Sequence, residues 1–163
     1  MRASAAGRLE RVIAARLGPG EDLLEGIVGL CAEHGVWDGC VLMGMGSLRE
    51  ARIYNPVPSP AEGGGLKFRY PTEPQTCGGA QGALELLSVE GTIWHTDAGE
   101  IKGHIHISFS AADGHVTGGH IVPGCTVLTT AELVIGAFGG VDMVHRPDAE
   151  AGVPLLTPQA KNY

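Results

Sequence analysis

The residues of this chain best suited to chemistry are three histidines in one short stretch. His104 and His106 stand two apart in Gly103-His104-Ile105-His106-Ile107-Ser108-Phe109-Ser110, and His120 follows Asp113-Gly114 and Gly118-Gly119. Side chains alternate faces along a strand, so His104 and His106 share one face, while Ile105, Ile107 and Phe109 share the other. The apolar set must face a core, which leaves the histidines facing a cleft or an interface. Asp113-Gly114 is a hairpin signal. A loop of Ala112, Asp113 and Gly114 puts Gly114 in the left-handed conformation and closes the strands at Ala111 and His115. Position 106 then falls opposite 120, with Cβ atoms about 5 Å apart. A loop one residue shorter or longer would turn His120 away from His106. Three neutral imidazoles on one face can converge on an ion at about 2.0–2.1 Å and leave a fourth position open, the pattern of a catalytic zinc.

Other side chains could serve such a site. Glu85, Glu90 and Glu132 fall on strands that could border it, and Glu85 and Glu90 are the candidates for a general base. Surface carboxylates are more often solvated charges, and that is the competing reading for each. Arg49, Arg52, Lys67 and Arg69 flank loops and could hold an anionic substrate. His95 could approach from a neighbouring strand, whereas His34, His115 and His145 have no such pattern around them. A single histidine is ordinarily a surface or hydrogen-bonded residue; the spacing of these three is what sets them apart. Gly44-Met45-Gly46-Ser47 is a weak phosphate-loop signal, because no helical pattern follows it, and it reads as a turn between two strands.

The elements that position these residues are legible in outline. Glu21 to His34 is the clearest helix: Leu23, Leu24, Ile27, Val28 and Cys31 form one apolar face, acidic residues open it and Gly35 closes it. Arg8 to Leu17 fits a helix by propensity or a strand by its apolar positions. Cys40 to Met43 and Ser47 to Tyr54 read as strands; Asn55 to Gly65, with three prolines and three glycines, reads as a surface loop, and Gln75 to Gly82 as a flexible connection. From Ala83 the pattern is consecutive strands: Leu84 to Val89, Gly91 to Thr96, Gly103 to Ser110, His115 to Val122 and Thr126 to Phe138. The tail from Arg146 lacks periodicity and is expected to lie across a surface or a neighbouring subunit.

Bulk properties narrow the function classes. A chain of 163 residues with 44% hydrophobic and 18% charged residues suits one globular domain. A net charge of −7, with three lysines and eight arginines and no basic run, disfavours unaided binding to DNA. Arg2, Arg8, Arg11 and Arg16 could still gather on one face of an assembly. Cys31, Cys40, Cys77 and Cys125 lie far apart without a C-x-x-C pair and are expected as reduced, mostly buried thiols. Met1-Arg2-Ala3-Ser4 has no signal-peptide run, and no stretch approaches about 18 uninterrupted apolar residues, so the expectation is a cytoplasmic protein without a membrane span.

These residues resemble a known family. Leu84-Glu85-Leu86-Leu87-Ser88-Val89-Glu90-Gly91-Thr92-Ile93, His104-Ile105-His106, Asp113-Gly114 and Gly118-Gly119-His120 look like the plant-and-prokaryote-conserved (PPC) domain. Gly20-Glu21-Asp22-Leu23 and Gly44-Met45-Gly46-Ser47 fit the same pattern. The resemblance implies an α+β domain over residues 8–140, with a mainly antiparallel sheet, one principal helix packed on it and assembly as a homotrimer; residues 141–163 form an extended tail. It also implies a divalent metal, zinc by its ligand set, on His104, His106 and His120. Plant members join this domain to AT-hooks, short Arg-Gly-Arg-Pro segments; none is present here, and His145-Arg146-Pro147 is not one. The expected function is therefore a metal-dependent lyase, hydratase or hydrolase acting on a small anionic metabolite, and the alternative is a DNA-associated regulatory protein with a structural metal.

Overall fold

The computed structural model describes residues 2–60, 66–79, 82–148 and 153–161. Strand β1 spans Arg8–Leu17 and leads into α1, Leu23–Glu33, the one helix among the described residues. Asp22 caps the helix by accepting a hydrogen bond from the Glu25 backbone N–H, and Gly35 follows its end with a φ of 62°. The long strand β2 covers Gly39–Tyr54, and two short strands follow, β3 (Val57–Pro60) and β4 (Leu66–Arg69). Next come β5 (Gln75–Gly78), β6 (Leu84–His95), β7 (Ile101–Ser110), β8 (Val116–Ile121) and β9 (Thr126–Gly139). Four short strands end the chain: β10 (Val141–Asp142), β11 (His145–Pro147), β12 (Pro154–Leu156) and β13 (Gln159–Ala160).

The main sheet has seven strands in the order β1-β9-β2-β6-β7-β8, with β5 on β2. The pairings are antiparallel, and β2 also reaches β8 through Ile53↔Ile121 and Tyr54↔His120. The far end of β2 therefore returns to the strand that carries His120. One face of the sheet packs under α1: Leu23, Ile27 and Cys31 of the helix join Ile105, Ile107, Phe109, Val89, Leu133 and Ile135 in one buried core. The alternate residues of β6 and β7, including Glu90, His104 and His106, are on the outer face.

One segment left open by the sequence is settled, and three others differ from the expectation. Arg8–Leu17, open between helix and strand, is a strand, because β9 offers a long partner from Ala131 to Gly139. Gly44-Met45-Gly46-Ser47 is not a turn; β2 runs through it. A Cβ on Gly44 would lie 2.5 Å from Val89 Cβ, and one on Gly46 would lie 2.0 Å from the Thr130 carbonyl oxygen. These glycines admit close neighbours on both sides of the strand, and the register of β2 on β9 shifts just after Gly46. Part of the expected Asn55–Gly65 loop and of the Gln75–Gly82 connection is also strand: β3 pairs with β4, and β5 with β2. Residues 61–65 and 80–81 lie outside the described set.

The C-terminal segment folds back on the domain. β10 pairs with β13 and β11 with β12. Asp38, 4% exposed, anchors this return. Its carboxylate accepts from the Met143 backbone N–H at 2.7 Å and faces Lys161 Nζ at 3.6 Å and His95 Nδ1 at 3.5 Å. The four cysteines are thiols, and burial pushes Cys31 and Cys125 up to about 11, which keeps them protonated and unreactive near neutral pH.

Candidate metal centre

The β7–β8 hairpin sets the geometry. Ala111 and His115 close it, with the Ala111 N–H donating to the His115 carbonyl at 2.9 Å and the Gly114 N–H to the Ala111 carbonyl at 2.9 Å. Gly114 takes a φ of 83°, the left-handed conformation that the three-residue loop requires. The register that follows puts His106 directly opposite His120. His104 lies one pleat along, and the three rings form a mutual cluster with centroid separations of 5.0, 4.9 and 5.5 Å. One ring nitrogen from each lies within 4.8 Å of the others.

This donor set fits a divalent cation. His104 Nε2 and His106 Nε2 stand 3.1 Å apart. Two ligand nitrogens on a tetrahedral zinc at about 2.0–2.1 Å are separated by about 3.3 Å, so this pair needs little adjustment. At 3.1 Å two imidazole lone pairs repel unless a proton or a cation lies between them. His120 Nδ1 is buried without a hydrogen-bond partner, a costly state for a polar atom.

Burial and the neighbouring rings disfavour the charged forms of His106 and His120. Burial, and then the neighbouring His104 and His106, pulls His120 down to about 4. His106 is lowered by burial and by His104. Neutral imidazole is the ligating form. The metal-free protein should accordingly lose stability as pH falls. A histidine held below its unfolded value of 6.5 binds fewer protons folded than unfolded, so its contribution is intact above about pH 6.5 and declines toward 4. Denaturant midpoints measured between pH 7 and 4.5 should fall, and substituting His120 with phenylalanine should flatten that slope.

The other expected residues are distributed differently. Glu90 pairs with His106 across β6–β7 and so flanks the cluster on the same face. Glu85 pairs with Ser110, four residues from His106 and about 13 Å along the strand. Glu132 sits on β9 between Arg16 and Met45, remote from β7 and β8. Arg52 is on the face of Tyr54, but its guanidinium donates to the Pro123 carbonyl at 3.1 Å. Arg49 is five residues before Tyr54, about 16 Å back along β2. Arg69 is exposed on β4, and the Lys67 side chain lies outside the described ones.

A cavity of about 820 Å³ adjoins the cluster, with His104 and His120 in its lining. Its walls bring in residues that sequence reasoning did not single out: Tyr54, Tyr70, Trp94, Lys102 and Arg146. His145 and His95 also line it; His145 stacks on Trp94 with ring centroids 3.9 Å apart, and His95 turns Nδ1 toward Asp38. Trp94 and Lys102 pair across β6–β7 on the histidine face, so alternation from His104 was the available signal. Tyr70, His145 and Arg146 come from the β4 end and the C-terminal return, where no periodicity marks a partner.

An antiparallel sheet with one helix beneath and three convergent histidines above defines the class of domain. The chain belongs to the Plants and Prokaryotes Conserved (PCC) domain family, whose model matches residues 4–139. It is 30% identical over 122 residues, 75% of its length, to AT-hook motif nuclear-localized protein 14 of Arabidopsis thaliana. The chain spans between 18% and 26% of the length of the curated relatives it matches. Among solved structures it is similar to a hypothetical protein of Salmonella cholerae-suis, with 25% identity, a TM-score of 0.76 and coverage of 97% of this chain and 99% of that one. It also shares its fold with a metal-containing protein of Archaeoglobus fulgidus, at 22% identity, a TM-score of 0.69 and coverage of 95% and 99%.

Proposed function

We propose that this protein is a metal-binding homotrimer that holds one divalent cation per chain, zinc by its all-imidazole donor set, on His104, His106 and His120. It would present that cation to a small molecule in the adjoining cavity. The observation that carries the reading is the convergence of three ring nitrogens at the edge of an 820 Å³ cavity. The description of the Archaeoglobus relative as metal-containing adds support. When bound, the cation would supply Lewis acidity suited to lyase, hydratase or hydrolase chemistry. Glu90, which pairs with His106 across β6–β7, would be the carboxylate that takes or returns a proton.

Assembly rests on a separate feature. Leu42, Met45 and Leu87, each nearly half exposed, lie on the sheet face that also carries the histidines. A second copy on that face would bury them and bring the site close to a subunit boundary. Residues 8–140 would make the trimeric core and 141–163 the tail, in a cytoplasmic protein.

Untagged protein should carry about one zinc per chain, and its mass by light scattering should be about three times 16.9 kDa. A chain free of bound metal after purification in zinc-containing medium would end the metal reading. The Arabidopsis relative's name favours a second reading, a DNA-associated module. That reading requires retardation of a duplex that weakens with salt, and with a net charge of −7 the expected result is no retardation by the isolated chain.

A further inference from the structure

The cavity beside the histidines has walls that select for more than charge. Lys102 and Arg146 line it, but Asp97 lines it too, and Lys102 is held by Glu100 at 3.2 Å. The cations are therefore largely offset, and an anion would find little net field there apart from the metal itself. The apolar lining is stronger. Tyr54 and Tyr70 meet edge to face, with centroids 6.3 Å apart and planes at 80°. Trp94 is fixed from one side by His145. Rings already held by a neighbour make a preorganised wall, which lowers the cost of ordering them around a ligand.

Spacing fixes where a ligand's body would fall. Trp94 pairs with Lys102, which is one pleat, about 7 Å, from His104. Trp94 and His104 both line the cavity, so an arylacetate whose carboxylate is held at the histidines would carry its ring toward Trp94. We infer that the site takes aryl-substituted carboxylates, with the carboxylate on the cation and the ring against Trp94. This inference rests on the metal reading above and narrows its small anionic metabolite to one with a flat apolar body.

Calorimetric titration of the zinc-loaded trimer with phenylacetate, cyclohexylacetate and acetate tests it. Phenylacetate should bind about tenfold tighter than acetate, the scale of one aromatic contact, and tighter than cyclohexylacetate. Trp94→Ala should remove most of that advantage, leave acetate binding unchanged and retain zinc; Trp94→Phe should keep most of it. Equal affinity for phenylacetate and acetate in a protein with full zinc would overturn the inference and leave the metal reading standing. So would an advantage that survives Trp94→Ala, or one matched by cyclohexylacetate. A protein that holds no zinc, or that binds phenylacetate equally well without it, overturns the placement of the carboxylate; the first result also ends the metal reading.

Discussion

A His106→Ala variant should retain less than about a tenth of the parent protein's zinc after dialysis against a weak chelator, while keeping its fold. Structural zinc sites with four ligands contribute about 10–16 kcal/mol, so one ligand is worth about 3 kcal/mol, roughly two orders of magnitude in affinity. His106 is exposed, and its ring packs against His104 and His120. Truncating it removes no core packing, so thermal stability of the metal-free chain should change by no more than about 0.5 kcal/mol. A second signature separates loss of a ligand from disorder of the hairpin. His106 is one of the neighbours that hold His120 low, so in the metal-free variant an NMR titration should find the His120 pKa moved upward. Full zinc retention in His106→Ala, and likewise in His104→Ala and His120→Ala, would refute the centre.

The histidine register was open to sequence reasoning because every step rested on local chemistry. Alternation put His104 and His106 on one face, and Asp113-Gly114 fixed the loop length on which the facing of His120 depends. The helix was equally accessible, since its apolar face and its Asp22 cap lie within one turn of each other. Glycine was the weak point. Gly44 and Gly46 suggested a turn, yet they sit within β2 because Val89 and Thr130 crowd them; the reason lies on other strands, far away in sequence. The second wall of the cavity was hidden for a related reason. His145 reaches Trp94 only because the chain after β9 folds back, and that return is held by Asp38, more than a hundred residues before Met143 and Lys161. Long-range contacts of this kind leave no period in the segments that make them. Of the arginines expected as anion ligands, Arg52 lies on the face of Tyr54 with its guanidinium donating to the Pro123 carbonyl, a partner 71 residues away.

Gly118→Ala should damage the centre from a position that touches no ligand. A Cβ there would stand 2.1 Å from the Ile107 carbonyl oxygen and 3.0 Å from Ser108 Cα. Both are backbone atoms of β7, so no side chain can rotate out of the way, and β8 must move off by about 1 Å to reach ordinary contact. Asn55 tightens the constraint: its Nδ2 donates to the Gly118 carbonyl at 2.9 Å, and its Oδ1 would lie 2.7 Å from a Cβ on Gly119. Displacing β8 therefore strains both of its neighbours and carries His120, two residues on, away from His106. Metal–ligand distances tolerate about 0.2 Å. The expected result is a loss of about 1–3 kcal/mol in stability, read from denaturant midpoints, together with at least a tenfold fall in zinc affinity. Gly114→Ala supplies the control. Its φ of +83° makes any side chain there cost about 1–2 kcal/mol, but nothing lies within 4 Å of the added Cβ. It should lose similar stability and keep its zinc. Equal zinc affinity in the two variants would mean that close approach of β8 to β7 does not set the ligand geometry.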